Sequence, residues 1–560
     1  MTKNKNMNYN NKFGIINILD NSKLARWIYL TIILIVGLTV RLYFLPFDVP
    51  FFNDAQNYFW YAIDTSILNS IPTEHPTLNN GWPLFLSFVF QLIDSNNFLD
   101  FQNIQRISST VISLLTFFPV YFLCSKFFRK SYALIGASLF ILEPRLIINS
   151  LNGTPEAFYI LLISLAIVLF LSDNFKKIYL SFALLGILSL VRFEGFLILF
   201  PLTALFFVRF RHNKKYYLRY VICITIFIIV LLPNVYLDNN SNQNVQIIEH
   251  ISAGPDYYQK SIEEQGSSVM DFLSTGISKT TMYFSWITIP IFVIFLPMGI
   301  FFIFTKLEFK KITLISVAIM ILIPAFYAYS RDFSEVKYLF ALYPLFCVIS
   351  CYSLKFFIEK IKKENLILVV IISAVIITSV LYLDWKALDN EHYREAFEIV
   401  SDVKQMDVRI NTDLGKYGGE FLYFHWLRID SGENFPILKN DLPQLNIGVL
   451  EQNIIEEGKE VRERNLDVER NLVYIEKMQI TNIHDYIIFL KKQEITHLLI
   501  DYDNRTHDIT NELRMEFKQV FDNEKEFPYL IKEYDSKENG FKYHVKLFRI
   551  NYDKFSEEIN

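Results

Sequence analysis

Between residues 28 and 385 the chain alternates long apolar runs with short polar connections. Runs suited to crossing a bilayer fall at Ile28–Phe47, Ile104–Cys124, Tyr132–Ile148, Phe158–Leu171, Tyr179–Val191 and Gly195–Val208. Further runs are Tyr220–Leu237, Tyr283–Phe304, Ile312–Tyr329, Tyr338–Leu354 and Leu366–Leu383. They predict an all-α bundle of about eleven transmembrane helices, several of them short. The apolar stretch Pro83–Ile93 is too short to span and is expected to lie in the interface or to re-enter.

After Trp385 the period changes. Glu391–Val403 reads as an amphipathic helix and Val408–Thr412 as a strand. Asp485–Lys492 reads as a helix leading into the strand Thr496–Asp501, and Asn511–Phe521 as another helix. Tyr529–Tyr534 and Phe541–Arg549 alternate like a closing hairpin. A small α/β or α+β domain follows the bundle, with the charged stretch Glu451–Asn471 as a solvated helix or loop. The expected organisation is a cytoplasmic segment 1–27, a transmembrane domain 28–385 with an outer loop 48–103, and a soluble domain 386–560.

Charge sets the orientation. Lys23/Arg26, Lys126/Arg129/Lys130, Lys176/Lys177, the Arg209–Arg219 cluster, Lys306/Lys310/Lys311 and Lys355–Lys363 mark every second connection as basic. That is the positive-inside pattern. The intervening loops are acidic; residues 48–82 hold Asp48, Asp54, Asp64 and Glu74 without a Lys or Arg. The N-terminus is therefore expected in the cytoplasm and the C-terminal domain outside. Residues 1–21 are polar and Asn/Lys-rich, unlike a cleavable signal.

Composition agrees with a multi-pass membrane protein. Hydrophobic residues make up 52% of 560 and aromatics 16%, too apolar for a soluble chain of this size. The net charge of -4 argues nothing by itself, and no basic run suits a nucleic-acid partner. All four cysteines sit in apolar runs without metal-type spacing. No P-loop, GxSxG or HExxH motif occurs, which removes the common nucleotide, serine-hydrolase and zinc-protease chemistries.

Candidate chemistry concentrates in the outward loops. Asp54 follows the first apolar run inside Pro50-Phe51-Phe52-Asn53-Asp54-Ala55-Gln56-Asn57-Tyr58, and Glu74-His75-Pro76 lies later in the same loop. Glu143-Pro144-Arg145, Thr154-Pro155-Glu156, Arg192-Phe193-Glu194-Gly195 and Arg331…Lys337-Tyr338 complete the set. Charges at membrane depth are costly and mark sites or partners. Simpler readings exist for each. Thr154-Pro155-Glu156 suits a helix start, Arg192 and Glu194 can pair, Arg331 and Lys337 can anchor at the interface, and His75 can be a turn residue. Taken together, acids able to deprotonate a hydroxyl or hold a divalent cation face basic residues able to bind a phosphate, which suits group transfer from a lipid phosphate.

These residues resemble a known family, the GT-C fold glycosyltransferases, close to the protein O-mannosyltransferases and the lipid A aminoarabinose transferases. There an Asp-Glu-x-x-Tyr motif follows the first span; here it reads Asp54-Ala55-Gln56-Asn57-Tyr58, with Ala55 in place of the second acid. Glu74-His75-Pro76-Thr77 resembles the family's Glu-Lys-Pro-Pro, and Thr154-Pro155-Glu156 its Thr-Glu. Arg192-Phe193-Glu194-Gly195 resembles its Arg-x-Glu-Gly turn, and Lys337-Tyr338 through Tyr343-Pro344 its late Arg-Tyr…Pro pattern. The resemblance covers residues 1–385. It implies transfer from a polyprenyl-phosphate sugar, with inversion, to a hydroxyl on a protein, lipid or glycan at the outer face. Asp54 would be the base and Glu74 an acid beside the acceptor. Arg192, Arg331, Lys337 and His75 would bind the donor phosphate, with Glu143 and Glu156 as candidate ligands of a divalent cation. The alternatives are a transporter or flippase of lipid-linked sugars and a non-enzymatic envelope assembly protein. The first would need midplane charges and internal repeats, and no repeat is visible.

Overall fold

The computed structural model describes residues 15–49, 51, 54–68, 79–93, 95, 98–212, 215–240, 269–331, 333, 335–361, 364–404, 410–411, 480–492, 496–501 and 511–559. The chain divides into two compact units. Unit 1 comprises Met1–Leu45, Asp54–Leu92 and Ile104–Trp385, and unit 2 comprises Pro46–Asn53, Ile93–Asn103 and Lys386–Asn560.

Unit 1 is helical. Its first twelve helices are α1 (Ile15–Asn21), α2 (Lys23–Tyr43), α3 (Asp54–Leu68), α4 (Gly81–Phe90), α5 (Phe98–Leu115), α6 (Phe117–Ser125), α7 (Lys130–Ile141), α8 (Pro144–Leu151), α9 (Glu156–Phe170), α10 (Phe175–Val191), α11 (Gly195–Phe210) and α12 (Tyr216–Asn240). Helices Val269–Thr288, Phe295–Phe304, Phe309–Ser330, Tyr343–Ile361 and Glu364–Lys404 follow, with a 3₁₀ segment at Val336–Leu342; residues 386–404 of the last helix and 98–103 of α5 belong to unit 2. Among the described residues, six helices are long and apolar enough to cross a membrane, or seven if a bent pair counts as one span. This is a multi-pass membrane protein.

All eleven apolar runs fall on helices, but helix length alone supports fewer spans than eleven. The runs Phe158–Leu171, Tyr179–Val191 and Gly195–Val208 form helices of 15, 17 and 16 residues. At 1.5 Å per residue these reach about 22–26 Å, short of the roughly 30 Å hydrocarbon layer. Tyr132–Ile148 is bent by 51° between α7 and α8. The cause is Glu143-Pro144: the residue before proline is driven out of the helical region, and Glu143 sits at φ -66, ψ 114. Tyr283–Phe304 is broken between Thr288 and Phe295, with a cis bond at Ile289–Pro290.

Burial grades the helices. The window within Val336–Lys360 is 72% buried and that of Lys23–Tyr43 11%, which makes the former central and the latter peripheral. Lipid tails are as apolar as leucine, so close packing and polar contacts hold such helices together. Phe117, Phe140, Phe170, Phe182, Leu339 and Tyr343 belong to one continuous core.

Helix α4, expected at the interface or re-entrant, packs on α3 and α10 and buries Trp82, Leu86 and Phe90. Its first residue must be glycine. A Cβ at Gly81 would lie 2.8 Å from the Leu190 carbonyl carbon and 2.9 Å from the Val191 nitrogen, both backbone of the last turn of α10. Gly81→Ala is expected to force these helices apart at a cost of about 1–3 kcal/mol, read as a lower melting temperature in detergent. An unchanged melting point would contradict this packing.

Unit 2 contains a four-stranded sheet of β1 (Ile410–Asn411), β2 (His497–Asp501), β3 (Leu530–Asp535) and β4 (Val545–Ile550), in the order β1-β2-β4-β3. β1 and β2 are parallel, and the other pairs antiparallel. Helices Ile483–Lys492, Asn511–Asp522 and Tyr552–Ile559 accompany the sheet. Their apolar residues Tyr486, Leu490, Phe517 and Phe555 pack with Leu498 and Phe548. The predicted strands and hairpin are thus observed, while Glu451–Asn471 lies outside the described residues. Within this unit Arg394 forms a two-point ion pair with Asp48, and Glu395 accepts from the Tyr543 and Lys542 N–H groups at 2.7 and 3.3 Å.

Candidate active site

Asp54 opens α3, where a carboxylate is favoured by the unsatisfied N–H groups of the first turn. Its side chain is 55% exposed and forms an ion pair with Lys337 of the 3₁₀ segment. The same Lys337 Nζ meets Glu335 at 2.5 Å. Tyr58, one turn along α3, is nearly buried, and burial pushes its hydroxyl well above the ordinary range.

A second ion group lies beside the first. Arg192, at the C-terminal end of α10, donates from Nη1 to Glu156 at 2.5 Å. It also forks onto Glu194, from Nη2 at 2.8 Å and from Nε at 3.3 Å. The guanidinium lies over the rings of Tyr338 and Tyr159 at 5.7 and 6.0 Å. Burial opposes its charge, but Glu194 and Glu156 outweigh that and hold Arg192 protonated, well above its ordinary value. Glu156 is only 4% exposed, and among the described residues its Oε2 has no hydrogen-bond partner. Asp54 and Glu156 both act electrostatically on Lys337 and on Tyr58, so the two ion groups form one cluster. A narrow cleft is lined by Glu156, Arg192, Glu194, Lys337, Tyr159 and Tyr338 on its polar side. Ile160, Met320, Ile321, Pro324 and Phe340 are among its apolar residues.

The acid missing beside Asp54 thus has a counterpart from another helix. Ala55 is 5% exposed, with no room for a charge, and Glu156 of α9 brings a carboxylate to the cluster. The turn carrying Glu156 differs from the expected cap. The helix begins at Glu156, and the Thr154 hydroxyl donates to Asn149 instead, at 3.3 and 3.4 Å. Arg192 and Glu194 do pair, as the simpler reading of their turn proposed, but Arg192 also takes Glu156.

Arg331 does not line the cleft; its guanidinium lies over Phe333 and Tyr327 at 5.1 and 5.6 Å. Glu74 and His75 lie outside the described residues. Glu143 is fully buried and caps α8, where its Oε1 meets the Arg145 N–H at 3.4 Å and the Tyr343 hydroxyl at 3.5 Å. Glu143 and Glu156 therefore have separate partners, and among the described residues no three His, Cys, Asp or Glu side chains converge on one point. The described residues do not form a preformed divalent-cation site. Glu335 joins the cluster without having been singled out in the sequence, whereas Tyr58 is the tyrosine of the Asp-x-x-x-Tyr motif, four residues after Asp54 on the same helix face.

Residues 81–237 match the family model of dolichyl-phosphate-mannose-protein mannosyltransferases. That segment carries Glu156, Arg192 and Glu194. Asp54 and Lys337 lie outside that segment. ArnT from Cupriavidus metallidurans, bound to undecaprenyl phosphate, superposes with a TM-score of 0.53 at 10% identity over 94% of this chain and 98% of that one. The chain is similar to the GT-C fold glycosyltransferases. AglB of Archaeoglobus fulgidus, in complex with an inhibitory peptide and a dolichol-phosphate, gives 0.49 at 11% identity over 86% of this chain and 70% of that one. The Archaeoglobus fulgidus oligosaccharyltransferase complex with Zn and sulfate gives 0.47 at 13% identity. There the match covers 71% of this chain and 57% of the relative, so the chain spans little more than half of that protein's length. No curated protein matches the sequence. Within the GT-C fold, the cluster around Asp54 is the candidate active site.

Proposed function

We propose that the protein transfers a sugar from a polyprenyl-phosphate donor to an acceptor hydroxyl at the outer face of the membrane. The observation that carries this reading is the single cluster of Asp54, Lys337, Glu156 and Arg192 beside a cleft with an apolar wall. The donor's prenyl chain lies among the helices, and its sugar phosphate enters the cleft. The acceptor oxygen attacks the anomeric carbon, and Asp54 takes the hydroxyl proton. The carbon–oxygen bond to the phosphate breaks with its electron pair on the phosphate, and the configuration inverts. Lys337 and Arg192 stabilise the charge that develops there. Lys337 is held by Asp54 and Glu335 before the donor arrives, so phosphate must compete for it. All eleven apolar runs contribute to the bundle, with the N-terminus cytoplasmic and residues 386–560 outside. The acceptor is a protein, a lipid or a glycan.

The deciding experiment incubates the purified protein with a panel of polyprenyl-phosphate sugars and follows both donor cleavage and label transfer. Cleavage with labelling of an acceptor is expected. Lys337→Met is expected to raise the donor KM at least about tenfold, as loss of one charge-assisted phosphate contact does. No cleavage of any donor would overturn the reading, and translocation without cleavage would replace it with a flippase.

A further inference from the structure

Helix α5 buries polar side chains along one face, including Gln102, Gln105, Ser109 and Thr110. Gln105 is the centre of this stripe. Its Nε2 donates to the Ala55 carbonyl at 3.0 Å and to the Gly153 carbonyl at 2.9 Å. Both partners are carbonyls, so the amide nitrogen is the end that faces them. One NH2 group thus spends one hydrogen on the peptide that follows Asp54 and the other on the turn that precedes Glu156.

The neighbours reinforce the second contact. Gly153 stands at φ 68, in the left-handed region that favours glycine. Its carbonyl also accepts from Trp82 Nε1 at 3.0 Å. Three residues before Asp54, the Phe51 N–H donates to Gln102 Oε1 at 2.8 Å.

Gln105 is fully buried. Its two donor hydrogens tie the two acid-bearing segments to one side chain.

We propose that Gln105 is a positioning residue for the transfer reaction, setting the separation of the Asp54 and Glu156 carboxylates. This rests on the transfer reading above. It touches neither substrate nor reacting atoms; it acts through the backbone of the two acids.

The test compares wild type with Gln105→Leu, which loses both bonds at similar volume, and Gln105→Asn, which keeps a buried amide one methylene too short to span both carbonyls. Turnover is normalised to the sites that bind undecaprenyl phosphate, so partial unfolding does not count as lost catalysis. In both variants kcat is expected to fall about 10- to 100-fold while the donor KM stays within about threefold, the pattern for misplaced reacting groups. If the Leu variant fails to fold, the Asn variant decides. Normalised kcat within threefold of wild type overturns the inference, as does a rise confined to KM. Absence of transfer in the wild type itself overturns the transfer reading and this inference with it; an active wild type with unaltered variants overturns the inference alone.

Discussion

Asp54→Asn is expected to lower sugar transfer by about 10²- to 10⁴-fold, the range that removal of a general base produces. The amide has the same shape as the carboxylate but cannot take the acceptor's proton. Stability is expected to change little, because the Asp54 side chain is 55% exposed and its ion pair with Lys337 is screened by solvent. Lys337 keeps Glu335 as a partner in the variant. Donor affinity is therefore expected to hold, or to improve, since one competitor for the lysine is gone. Label transfer and undecaprenyl-phosphate binding, measured on the same preparation, separate the two effects. A fully active Asp54→Asn enzyme would remove Asp54 from the mechanism, and a variant that neither binds nor transfers would point to misfolding.

The contrast between what was legible and what was not follows from distance along the chain. Apolar runs report helices because each needs a stretch of about 20 apolar residues, a local property. The break at Glu143-Pro144 was also local, although the proline sat inside a run that otherwise suited one span. Lys337 and Asp54 are 283 residues apart, and Arg192 and Glu156 are 36 apart. No local pattern reports such pairs. The basic and acidic loops located the candidates, but only packing of α3, α9, α10 and the 3₁₀ segment selects among them. Arg331 stacks on Tyr327 and Phe333, and Glu143 meets a helix start and Tyr343. Ala55 shows the same limit from the other side. Its sequence position suggested a missing acid, whereas the cluster takes a carboxylate from Glu156, roughly 100 residues further on.

The second large effect is expected from Arg192→Met. Arg192 is 12% exposed and holds Glu156, 4% exposed, and Glu194, 25% exposed. Removing the guanidinium strands carboxylates in a site that water barely reaches, and breaking a buried pair on one side costs about 3–5 kcal/mol. The melting temperature in detergent is expected to fall sharply, and transfer to be lost. Arg192→Lys is expected to fall between the two, because a point charge cannot fork onto Glu194 and reach Glu156 together. Structure and chemistry separate in the double variant Arg192→Met/Glu156→Gln. Neutralising the more buried acid relieves the unpaired charge, so much of the thermal stability should return. Transfer should not, since neither the phosphate-binding cation nor the Glu156 carboxylate is restored. Recovery of both would mean that Arg192 serves only to neutralise Glu156. Recovery of stability alone means that the Arg192–Glu156 pair serves the transfer chemistry and not stability alone.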